Sequence, residues 1–144
     1  ARFLRNQNIF DLTIAALLPD GSLQLENGIS LVAPGHAGAE PGEKLATGIR
    51  SEEVVVIRPN KPIGPELQEN LFHATIVDIL IFGGTQTLCV KLNDSDVTVN
   101  AELPNCAMRD LGYAIGDVLQ VCLRKRSLWT VPLAADAVAD KKGP

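Results

Sequence analysis

Apolar and polar residues alternate with a period of two along most of this chain. Phe10, Leu12, Ile14 and Ala16 alternate with Asp11, Thr13 and Ala15, which predicts a strand with one buried face, because successive strand side chains point to opposite sides. Pro19-Asp20-Gly21 supplies a turn. Leu23 and Leu25 then alternate with Ser22, Gln24 and Glu26, and Asn27-Gly28 follows, a dipeptide suited to the positive dihedrals of a type I′ hairpin. Residues 29–32 are expected to pair back. The stretch 34–42, rich in glycine and proline, predicts a surface loop, with further strands at 45–49 and 54–57.

Pro59, Pro62 and Pro65 withhold backbone donors at short intervals, so 59–66 reads as a linker or crossover between two β-rich halves, about 1–60 and 67–133. Residues 73–82 are apolar on both faces apart from Asp78, as in a strand covered on two sides or bent around a barrel. An unpaired buried carboxylate is costly, so Asp78 is expected to be exposed at an edge or paired. Gly83-Gly84 marks a turn or bulge. Leu88, Val90 and Leu92 form the next alternating set and Val97, Val99 and Ala101 another, with Asn93-Asp94-Ser95-Asp96 turning between them. Residues 104–112 are the one helical stretch, with Asn105 as N-cap. After Gly116-Asp117, Leu119, Val121 and Leu123 face inward while Gln120, Cys122 and Arg124 face out. A last strand at 127–131 carries the single tryptophan, Trp129. About ten short strands with little helix predict an all-β, OB-like barrel or sandwich over 1–133, closure protecting the edges that short strands expose. A frayed tail is expected at 134–144.

Composition narrows the function classes. A chain of 144 residues can bury one core or two small ones sharing an interface. With 13 basic residues against 17 acidic ones and a net charge of -4, a nucleic-acid partner is not expected, and Arg124-Lys125-Arg126 is too short a run to reverse that balance. One Trp, one Tyr and four Phe, scattered along the chain, make no stacking platform for single strands. No apolar run approaches the roughly 20 residues of a membrane-spanning helix. The chain opens on Ala1 without the pattern of a signal peptide, so it reads as a piece of a longer cytoplasmic protein. Cys89, Cys106 and Cys122 form no Cys-x-x-Cys pair and are odd in number, against a disulfide framework or zinc site. Cys89 is expected to be half-buried strand filler. No Gly-x-x-x-x-Gly-Lys-Ser/Thr loop, paired histidines or Gly-x-Ser-x-Gly elbow occurs, so no catalytic, metal or cofactor residue is expected. His73 is read as a packed or hydrogen-bonded strand residue.

Five stretches occur in a telling order: Ala1-Arg2-Phe3-Leu4 with Asn6-Gln7-Asn8, then Gly48-Ile49-Arg50-Ser51-Glu52-Glu53, the apolar strand 77–82 ending in Gly83-Gly84, Gly116-Asp117-Val118-Leu119-Gln120-Val121, and Ser127-Leu128-Trp129. Together they resemble the TOBE (transport-associated OB) domain at the C-terminal end of ATP-binding subunits of ABC importers of the maltose, spermidine, sulfate and iron type. The resemblance covers nearly the whole chain. It implies a regulatory accessory domain that hydrolyses nothing itself, pairs with a second copy and receives signals that silence uptake. ATP and Mg would belong to a missing ATPase domain, and the parent would contact permease subunits at the membrane periphery. Gly48, Ile49, Arg50, Glu52, Gly83 and Gly116 are the family-signature residues, with structural or interface roles. Ser51 replaces the family's usual proline and is expected to cap a short turn by accepting from the amides of Glu53 or Val54. Arg50 reads either as part of a solvated ion-pair cluster with Glu52 and Glu53 or as a contact to a partner subunit. The strand at 76–82 and the end at 128–131 are the candidate dimer faces. An alternative follows from relatives that hold molybdate or tungstate between paired β-barrels through backbone amides and hydroxyl or lysine side chains: a small-oxyanion binding module. Their Ser-Ala-Arg-Asn-like string has no recognisable form here.

Overall fold

The first alternating run folds as β2 (Gln7–Leu17), which buries Phe10, Leu12 and Ile14 and turns Asp11 outward. It belongs to a computed structural model that describes residues 2–3, 7–58 and 62–133; the tail expected at 134–144 and part of the proline-rich linker lie outside the described residues. Short β1 (Arg2–Phe3) pairs with β2. β3 (Leu23–Glu26), β4 (Ser30–Ala33) and β5 (Lys44–Arg50) follow, then a 3-10 turn (Ser51–Glu53) and β6 (Val55–Val56). The second half begins with β7 (Leu71–Phe82), β8 (Thr85–Leu92) and β9 (Thr98–Pro104). The one α-helix among the described residues, α1 (Asn105–Leu111), then leads to β10 (Val118–Cys122), a 3-10 turn (Lys125–Ser127) and β11 (Trp129–Pro132).

Two antiparallel sheets enclose one core. The first has the order β11-β5-β2-β3-β4, with β1 beside β2, and the second β6-β10-β7-β8-β9. Leu12, Ile14, Leu25, Leu31, Leu45 and Ile49 from the first sheet join Ile76, Leu88, Val90, Val99, Val121 and Leu123 from the second in a continuous buried cluster. The protein is an all-β, OB-like barrel with one short helix.

The halves exchange their last strands. β6, from the first half, pairs with β10 in the second sheet, while β11, from the second half, pairs with β5 in the first. The exchange is reciprocal to the residue: Trp129 lies opposite Gly48 and Val55 opposite Cys122. β2 and β7 each carry a bulge at the same point, between Ile14 and Ala16 in one and between Ile76 and Asp78 in the other. Asn8-Ile9-Phe10 thus corresponds to Asn70-Leu71-Phe72, and Gly48-Ile49-Arg50 to Cys122-Leu123-Arg124.

Two asparagines fasten the sheets in matching fashion. The Asn8 side chain donates to the carbonyls of Ile49 (3.3 Å) and Asn100 (3.0 Å) and accepts from the Asn100 amide (2.7 Å). That of Asn70 donates to Leu123 (2.9 Å) and Val32 (2.8 Å) and accepts from the Val32 amide (2.7 Å). Each therefore caps the free edge of the opposite sheet, satisfying backbone groups that would otherwise be orphaned. Asn70 adopts φ 63° to do so, a conformation that asparagine tolerates better than most residues.

Several expectations need correction. Asn27-Gly28 does not form a two-residue type I′ turn: Glu26 pairs with Ser30, so the loop holds three residues and Gly28 supplies the positive φ, 83°. The N-cap of α1 is Pro104, while the Asn105 side chain instead donates to the Gly83 carbonyl at 2.7 Å and braces the β7–β8 turn. Cys122 keeps to the face of β10 opposite Val121 and Leu123, outside the core cluster, yet is fully buried there, its thiol donating to the Glu69 carbonyl at 3.4 Å. The strand expected at 73–82 is not covered on both sides, since Val77, Leu80, Ile81 and Phe82 are exposed. β7 runs on beyond the point that matches the end of β2, and among the described residues no strand covers that extension. His73 is exposed too. Asp78 is exposed just past the bulge, its carboxylate accepting from the Ile79 amide at 2.9 Å.

Candidate functional site

The Gly48-Ile49-Arg50 string ends β5, and each residue has a separate task. Ile49 is fully buried in the core. Gly48 lies under the indole of Trp129, so that a Cβ there would overlap ring atoms Cζ2 and Cε2. Arg50, more than half exposed, pairs with Glu52 at 3.0 Å. Ser51 starts the 3-10 turn and is buried. Contrary to the capping expectation, the N-cap position belongs to Arg50, and the backbone carbonyl of Ser51 accepts from the Val54 amide at 3.4 Å. Ser51 thus occupies the first position of the turn, where a proline loses nothing by lacking an N–H.

Glu53 points across the molecule. Its Oε1 accepts from Arg124 Nη2 at 3.3 Å and from the Ser127 hydroxyl at 2.9 Å. Trp129 Nε1 donates to Gln7 Oε1 at 3.1 Å. Around these contacts lies an open cleft of about 390 Å3, lined by Gln7, Arg50, Glu53, Arg124, Arg126, Ser127 and Trp129. Arg50 and Arg124 are corresponding residues of the two halves, as are Glu53 and Ser127, so the cleft straddles the line about which the strands are exchanged.

Its electrostatics are set by three guanidiniums against one inward carboxylate. Arg124 Nε is buried and has no hydrogen-bond partner among the described residues, a donor left over after the Glu53 contact. Lys125, next along, turns away to Asp20 (3.5 Å) and the Ser22 hydroxyl (2.9 Å). There the Ser22 amide and hydroxyl, and more weakly the Lys125 ammonium, hold the Asp20 carboxyl below its ordinary value. A second concavity of about 350 Å3, near His73, Asn93, Asp94 and Ser95, carries one carboxylate and no arginine or lysine in its wall.

The signature residues do not all meet. Gly48, Ile49, Arg50 and Glu52 sit at or beside the cleft. Gly83 (φ 53°) closes the β7–β8 turn, and Gly116 (φ 99°) donates its amide to the Ile76 carbonyl at 2.8 Å, ahead of β10. Reasoning from sequence missed Gln7, Glu53, Arg124, Arg126, Ser127 and Trp129 as one group. The signal that could have found them is the correspondence of Ile49-Arg50 with Leu123-Arg124, which turns a short basic run into the second wall of a site. Of the cysteines, Cys89 is half-buried and Cys106 exposed; burial, reinforced by the Asp78 charge, raises the Cys89 thiol above its ordinary value. Among the described residues no three His, Cys, Asp or Glu side chains converge as a metal site would require, and no helix is long and apolar enough to cross a membrane.

No protein-family model matches the sequence, and no curated protein matches it either. A solved structure does. The cytoplasmic molybdate-binding protein ModG, in a crystal form with molybdate bound, superposes with a TM-score of 0.72 over 88% of this chain and 96% of that one, at 13% sequence identity. The fold is shared. At that identity the likeness concerns architecture alone.

Proposed function

We propose that this chain is a binding module and not a catalyst, and that the cleft between Arg50 and Arg124 takes a small tetrahedral oxyanion. The observation that carries the reading is that Arg50, Arg124, Arg126 and the hydroxyl-bearing Ser127 line one cleft, in a chain whose net charge is -4. Guanidiniums and neutral N–H or O–H donors in one concavity suit an anion that accepts at several oxygens. The shared architecture with a molybdate-binding protein supports the same ligand class. Isothermal titration with molybdate, sulfate and phosphate tests it: saturable binding is expected, and Arg124→Gln should weaken it at least tenfold, since charge-assisted bonds carry about 1.5–3 kcal/mol each. No heat with any of the three anions would refute the reading.

A second reading, a regulatory domain of a transport ATPase that pairs with its own copy, is favoured by the signature at the end of β5 and by Ile81 and Phe82, 69% and 59% exposed at the end of β7. Light scattering over a concentration series tests it, a dimer that Phe82→Asp dissolves being the expected result.

A further inference from the structure

We infer that Glu53 is the resident anion of the cleft: its carboxylate stands where an incoming oxyanion binds, and it sets the affinity and charge selectivity of that site. This rests on the oxyanion reading above and goes further in naming what the ligand must displace. The exchange between the halves gives Glu53 that place. In the first half, Arg50 finds its counter-charge two residues along its own turn, at Glu52. The residue corresponding to Glu52 in the second half is Arg126, so the turn Lys125-Arg126-Ser127 offers Arg124 no carboxylate of its own. Arg124 is neutralised instead from across the cleft.

Glu53 supplies that charge, and the way it is held is the way a ligand would be held. One carboxylate oxygen accepts from a guanidinium and a hydroxyl belonging to two different residues, the convergence of donors by which oxyanions are cradled. The residue corresponding to Glu53 is Ser127, so the contact joins two corresponding positions, one an acceptor and the other a donor. Glu53 has room to leave: its side chain is 41% exposed, against 24% for Arg124, so its carboxylate can exchange the pair for water, while Arg124 stays held in the cleft. A dianion that displaces it brings a second charge to Arg50 and Arg126, which Glu53 does not pair with. A monoanion brings no more charge than Glu53 already provides. The site therefore selects dianions of the sulfate and molybdate type over monocarboxylates.

Fluorescence of the single tryptophan, which lines the cleft, reports the titration. Sulfate, molybdate and acetate are titrated into the wild type, Glu53→Gln, Glu53→Asp and Arg124→Gln, with circular dichroism confirming that each variant is folded. Glu53→Gln should bind sulfate about tenfold tighter than the wild type and acquire measurable affinity for acetate. Glu53→Asp, which keeps the charge with a shorter reach, should fall between. The thermal stability that Glu53→Gln loses without ligand should return at saturating sulfate, a recovery that a purely structural strut would not show. Equal or weaker sulfate binding by Glu53→Gln, with the wild type still binding, overturns the inference and leaves the oxyanion reading intact. Silence from the wild type and Glu53→Gln alike overturns both.

Discussion

At the scale of single residues, the absence of a side chain at 48 is the decisive detail of the cleft. Its backbone needs no left-handed conformation; glycine is required because the Trp129 ring lies across it. Gly48→Ala should therefore cost about 1–3 kcal/mol through overpacking, seen as a lower midpoint of chemical denaturation together with a shift of tryptophan emission as the indole is pushed off Gln7. Asn8 makes the complementary case. It is fully buried and its amide serves three backbone groups, so Asn8→Ala should lose about 2–4 kcal/mol. Asn8→Asp should be worse, since it replaces two donated bonds by a buried charge facing carbonyls. The sequence made Gly48 and Arg50 visible through their motif. It could not announce Glu53, Ser127 or Asn8, because an ordinary polar residue becomes a clamp or a counter-ion only through neighbours that are distant in the chain.

Elements were far more legible than residues. Period-two alternation located the strands because one buried face imposes it, and Gly83, Gly112 and Gly116 end or start elements where positive φ is required. Errors gathered where alternation carries no information. The extension of β7 past Ile79 is as apolar as its buried part, so sequence alone could not distinguish a covered strand from an uncovered one. The correspondence between halves stayed hidden because loops of unequal length separate matching strands; α1, for instance, stands between β9 and β10 where the first half has only loop between β4 and β5. One contact between elements yields a pH signature. The turn at Asp20 is tied to the Lys125 turn, and the Asp20 carboxyl is held below its ordinary value chiefly by the Ser22 amide and hydroxyl. A depressed carboxylate contributes stability above its unfolded-state value and loses it as pH falls toward and through the lower folded-state value. Wild-type stability should accordingly decline in acid more steeply than that of Asp20→Asn, when denaturation midpoints of the two are compared between pH 6 and pH 3.

For the whole molecule, the consequential feature is that neither half completes its own sheet. The all-β, barrel-like architecture was readable from strand count and spacing, but the exchange of β6 and β11 was not, since pairing partners are chosen by edges that become available only after both sheets exist. The cleft is built from the two turns that lead into the exchanged strands, and a ligand bridging Arg50 and Arg124 would hold both crossings at once. The same arrangement has a mechanical meaning. β2 and β11 flank β5, with Gln7 opposite Arg50 and Pro132 opposite Leu45, so tension applied between Gln7 and Pro132 runs along the strands and loads the ladders on both sides of β5 in shear. Many bonds must then yield together. Tension between Thr13 and Lys44, which face each other across the β2–β5 pair, peels the same ladder one bond at a time. Single-molecule pulling should find a markedly higher rupture force along the first axis than the second, which makes this small barrel stiffer along its strands than across them.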